Sequence, residues 1–209
     1  MNLKEKGIQL FKQLGWTTAN ANALTQQLIS YHASSSRHYH NTTHLEALYQ
    51  SLEAHQSQII APQLLELVIW FHDSVYKSWR KDNEVKSARL AANALKNHVH
   101  QQELDLISTI IESTAKHIPL TQHPDCQWFL DFDLKILASE PKTYDWYARA
   151  IRKEYWIYPN FLYNKGRKQA LEAFLSRDKL FYTDQFHEQY EAKARENMKR
   201  EIASLSRHR

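Results

Sequence analysis

Eight consecutive residues, Leu64-Leu65-Glu66-Leu67-Val68-Ile69-Trp70-Phe71, carry seven large apolar side chains and run straight into His72-Asp73. A helix apolar on nearly every side belongs in a core. A histidine and an aspartate at its end must then be paired, hydrogen-bonded or bound to metal, because lone buried polar groups are costly. Neighbouring residues on a helix point about 100° apart. Both side chains can therefore lean into one cavity without pairing neatly, and a divalent cation between them would satisfy both.

The rest of the chain fits helices around that run. Three glycines and five prolines in 209 residues leave little turn chemistry for sheets. Apolar residues at helical spacing predict helices over 2–14, 18–32, from about 41, from Pro62, from Asp82 or Asn83 to about 97, over 101–114, from Trp128, over 141–157, over 160–177 and over 184–205. Leu120 to Gln127 reads as a polar loop. With no repeat, low-complexity stretch or composition break, the expectation is an all-α, single-domain helical bundle. Its core would span about 20–140, with the C-terminal helices 141–206 packed on it.

Charge and cysteine use narrow the partners. The 27 Lys and Arg against 23 Asp and Glu give +4. That balance suits an anionic small molecule and makes nucleic acid an unlikely partner. No apolar run nears the ~20 residues of a membrane span. The single cysteine, Cys126, permits no internal disulfide and points to a reducing compartment. The N-terminus lacks a signal peptide's apolar region, so a cytoplasmic location is expected.

The twelve histidines raise metal or acid–base chemistry. His40 and His44, four apart, would share a face if the helix extends over both; otherwise they are solvated side chains near a helix start. Asp131 and Asp133 sit among large apolar residues in Trp128-Phe129-Leu130-Asp131-Phe132-Asp133-Leu134, where an unpartnered carboxylate would be costly. They are metal ligands or turn and cap residues. Glu84 in a first helical turn is either a dipole partner or a group acting through water. Histidine and carboxylate ligands without thiolate fit a divalent Mn, Fe, Ni, Zn or Mg ion in a catalytic site.

The order His … His-Asp … Asp on successive helices resembles the HD superfamily of metal-dependent phosphohydrolases. Tyr39-His40-Asn41-Thr42-Thr43-His44 is similar to a motif of its cyclic-nucleotide phosphodiesterase branch. A bacterial family of predicted HD phosphohydrolases is resembled more widely. The matching residues are Arg37-x-Tyr39-His40-Asn41, Trp70-Phe71-His72-Asp73-x-Val75-Tyr76, Asn83-Glu84-x-x-Ser87-Ala88, Thr114-x-x-His117, Leu130-Asp131-x-Asp133-Leu134, Ile151-Arg152-x-Glu154-Tyr155 and Ala194-Arg195-x-Asn197.

That resemblance implies an HD-type bundle in which His44, His72 and Asp73 bind metal, with Asp131 or Asp133 as the fourth ligand. His40 would be the general acid, and Glu84 a proton acceptor through water. The later His, Gly and Asn of the phosphodiesterase branch are missing, so neither a second metal nor a cyclic nucleotide is implied. Lys116, His117, Arg149 and Arg152 are candidates to hold phosphate oxygens. The expected activity is metal-dependent hydrolysis of a small phosphate ester, with nucleotides among the candidates. The alternative is a non-catalytic HD-fold module that holds metal and a nucleotide-like ligand. The aromatic C-terminal helices could cover the site or form an oligomer interface.

Overall fold

In the computed structural model, which describes residues 2–207, the chain is all-helical: ten α-helices and no strand among the described residues. It forms two compact units, Met1–Phe129 and Leu130–Arg209. The division falls inside one continuous helix, where no glycine, proline or polar linker marks it in the sequence.

The first unit holds α1 (Leu3–Gln13), α2 (Thr18–His32), α3 (Thr42–Ala54), α4 (Pro62–Phe71), α5 (Asn83–Leu95), α6 (Gln101–Ser113) and the start of α7 (Pro124–Leu134). α4 is its axis and packs against α3, α5 and α6. All seven of its large apolar side chains are buried; removing each from water stabilises the fold by about 1.5–3 kcal/mol. Pro62 supplies the first helical position, where its missing N–H costs nothing. The fully buried Asp125 takes the place of a cap, its carboxylate accepting from Ile60 N at 2.9 Å and Ala61 N at 2.8 Å. A negative charge there also suits the helix dipole.

α1 lies close over this core because residue 7 is glycine. A Cβ at Gly7 would come within 2.6 Å of Thr25 Cγ2 and 2.8 Å of Trp70 Cζ2. Asn2 and Thr17 cap α1 and α2, accepting from Glu5 N and Asn20 N.

The second unit contains the end of α7, a 3₁₀ turn over Lys135–Ala138, α8 (Pro141–Glu154), α9 (Asn160–Leu175) and α10 (Asp184–Arg207). α10 packs against the 3₁₀ turn, α8 and α9. Asn197 ties α10 to that turn by donating to Leu137 O at 2.9 Å and Ser139 O at 2.8 Å. Trp156, Phe161 and Leu162 keep about half or more of their surface open.

Most helix limits match the sequence reading to within a few residues. The exception is α7, which begins at Pro124, inside the segment expected to be a loop. Proline is again the first helical residue, and the backbone N–H of Asp125 is taken by His123 Nδ1.

Candidate metal centre

The site begins where α4 stops. His72 is the C-cap, still in helical conformation, with its N–H bonded to Val68 O at 2.9 Å. Its imidazole is 1% exposed. Nδ1 lies 3.0 Å from Ile69 O. A carbonyl can only accept, so Nδ1 carries the hydrogen and Nε2 presents a lone pair. That lone pair faces two other groups: His44 Nε2 at 3.3 Å and Asp73 Oδ2 at 3.2 Å. His44 is 5% exposed in the first turn of α3. The arrangement brings two ring nitrogens and a carboxylate oxygen together in a buried place. It calls for a proton or a cation among them, so His44 and His72 can hold a metal ion.

Burial alone would push the Asp73 carboxyl up; when the facing His72, together with His40 and His44, carries a proton, their charge reverses this and holds it well below the usual carboxylate range.

The backbone after the doublet is fixed from three directions. Arg37, itself buried, donates to Asp73 O at 2.7 Å, Ser74 O at 3.2 Å and His40 O at 3.1 Å. It thereby fastens the His40 segment to the His72-Asp73 turn. Ser87 Oγ accepts from Val75 N at 3.0 Å, and Asn83 pairs with both the N–H and the carbonyl of Lys77. The Arg37, Asn83 and Ser87 positions of the sequence motifs thus hold the loop in place. Sequence reasoning gave Arg37 no role; a lone arginine between two helices offered no signal beyond its motif.

His40 lies outside α3, which Asn41 caps by accepting from Thr43 N at 2.9 Å. The expected shared helical face is therefore absent. The turn still brings the His40 ring to 6.0 Å from His44 and sets it 4.4 Å over Tyr76. Glu84 is half-buried in the first turn of α5. His117 adopts a left-handed backbone, φ 49°, in the turn after α6, beside the exposed Lys116.

His32, unremarked in the sequence, closes α2. It continues the buried stripe Ala21, Thr25, Leu28, a spacing that could have flagged it. It is 1% exposed, and neither ring nitrogen has a hydrogen-bond partner. Burial, then the charge of Arg37, lowers its pKa to about 3, so it is neutral.

In the second unit the structure separates two aspartates that the sequence left equivalent. Asp131 is fully buried and accepts from Tyr182 N at 2.7 Å, Thr183 N at 2.8 Å and Thr183 Oγ1 at 2.6 Å. Both oxygens are engaged in holding the chain just before α10, so Asp131 is structural, a correction to its candidacy as a ligand. Burial raises its carboxyl to about 6 against those hydrogen bonds. Asp133 is half-buried on α7. Arg152 is also corrected. Its guanidinium donates to Tyr155 O, Tyr158 O and Asn160 Oδ1 and caps the α8–α9 turn, in place of the expected phosphate contact. Arg149 is exposed on α8.

No helix among the described residues is long and apolar enough to cross a membrane. In comparisons with known proteins, no family model, no curated protein and no solved structure matches the chain.

Proposed function

We propose that the chain is a metal-dependent phosphohydrolase of the HD type acting on a small phosphate ester. The observation that carries this reading is the buried meeting of His44 Nε2, His72 Nε2 and Asp73 Oδ2, with the His72 tautomer fixed by Ile69 O. Locking one ring nitrogen so that the other offers its lone pair is how proteins prepare histidine for a metal.

His44 and His72 would hold a divalent cation with Asp73 as a carboxylate ligand, and the resemblance assigns the fourth ligand to Asp131 or Asp133. With Asp131 engaged elsewhere, Asp133 is the carboxylate left for this role. A cation there supplies Lewis acidity and water activation near neutral pH.

The protein's own groups do the rest. His40, on its Tyr76 support, would donate a proton to the departing oxygen. Lys116 and His117, in the turn after α6, would meet phosphate oxygens, and Arg149 is the remaining arginine candidate for that role. Glu84 would relay a proton through water. The sequence motifs around His40, His72-Asp73 and Asp133 favour phosphate-ester hydrolysis over other metal chemistry.

The test is metal content of protein purified without chelator, for wild type, His72→Ala and Asp133→Ala, followed by phosphate release from nucleotides and phosphomonoesters with Mn²⁺. The expected result is near-stoichiometric metal and Mn²⁺-dependent turnover in the wild type, with both lost in the variants. Metal without turnover on any ester would leave a binding module. No metal even after reconstitution would sink the reading.

A further inference from the structure

His32 is the one histidine of the first unit that is both fully buried and unpartnered. Either neutral tautomer of an imidazole has one donor and one acceptor. At His32 neither finds a match in the chain, although the ring is 1% exposed. A buried group in that state destabilises the fold, and an apolar residue would continue the stripe Ala21, Thr25, Leu28 without that cost. Its position is not random. It ends α2, five residues before Arg37, and its imidazole lies within electrostatic reach of Arg37, Asp73, His72 and His44. Arg37 is bonded to the Asp73 carbonyl at 2.7 Å. The other groups around the cluster are provided for: His72 Nδ1 by Ile69 O, and the loop backbone by Arg37, Ser87 and Asn83.

We propose that His32 is a positioning residue of the metal centre, linked through one buried water to the Asp73 carboxylate beside His72. The inference rests on the metal reading above. A buried water is held by two to four polar partners. The His32 ring and the Asp73 carboxylate offer a donor and acceptors on the two sides of such a water. The link would hold Asp73 in the orientation that a cation on His44 and His72 requires. Groups that orient ligands in this way change metal affinity about 10–100-fold when removed.

The experiment is a Co²⁺ titration followed by visible absorption, with thermal unfolding of the metal-free protein, for wild type, His32→Leu and His32→Gln. The expected result for His32→Leu is Co²⁺ binding weakened by about 10–100-fold with altered bands. Its metal-free unfolding temperature would be equal to or above that of wild type. His32→Gln, which can donate and accept, would recover part of the affinity. If His32→Leu fails to fold, His32→Met carries the same test. A Leu variant that gains stability but binds Co²⁺ with wild-type affinity and spectrum overturns the proposal alone. A wild type that binds no Co²⁺ overturns the metal reading and the proposal with it.

Discussion

The carboxylates buried in the second unit and the histidine cluster of the first meet different surroundings. In the second, the buried carboxylates of Glu201, Glu191 and Asp131 are matched, as that of Asp125 is in the first. Glu201 accepts from Tyr144 Oη at 2.6 Å and from Arg167 Nε at 2.8 Å and Nη2 at 3.0 Å. Glu191 accepts from Leu180 N, Phe181 N and Arg195 Nε. Asp131 takes both N–H groups and the hydroxyl at residues 182–183. In the first unit, His44 Nε2 and Asp73 Oδ2 converge on His72 Nε2, and neither ring nitrogen of His32 has a hydrogen-bond partner. Complete matching fixes a fold. A buried polar group without a partner, as at His32, costs stability.

The sharpest way to break this comparison is Glu201→Ala. It would leave the Arg167 guanidinium buried without its partner, and about 3–5 kcal/mol of stability should be lost, read from urea denaturation. A loss near zero would mean that the matched network does not hold the second unit together.

Asp131→Ala should cost about 3 kcal/mol, because two N–H groups and a hydroxyl lose their acceptor, while metal content stays at the wild-type level. Metal lost with stability intact would exchange the roles assigned to Asp131 and Asp133.

Acid should expose the unmatched side. His32 titrates at 6.5 when unfolded and at about 3 when folded. Between those values the unfolded chain binds a proton that the native state refuses. This cost is absent above pH 6.5 and grows as pH falls toward 3, with a slope approaching ~1.4 kcal/mol per pH unit. Denaturation of metal-free protein across that window should show a shallower pH dependence for His32→Leu. Equal slopes would remove His32 as the acid-sensitive group.

The smallest effect belongs to the surface. Arg200 and Asp145 pair at 2.5 Å with side chains 42% and 43% exposed. Asp145→Asn should change stability by no more than about 0.5 kcal/mol. A larger loss in a thermal melt would show that exposed pairs in the second unit matter as much as buried ones.

What the sequence determined by itself was local. Helical period placed nearly every helix, and the apolar run Leu64–Phe71 ending in His72-Asp73 announced a buried polar doublet on α4. His44 could be grouped with that doublet from motif order. Tertiary structure decided which polar groups have partners. Asp131 and Asp133 stand two residues apart in similar apolar company, and only the chain at 182–183, some fifty residues away, claims the first. Arg152 became a turn cap, Arg37 a clamp and His32 an orphan for the same reason. A helix is specified by spacing within a few turns. The fate of a buried donor or acceptor depends on whatever the fold brings opposite it, and no local pattern records that.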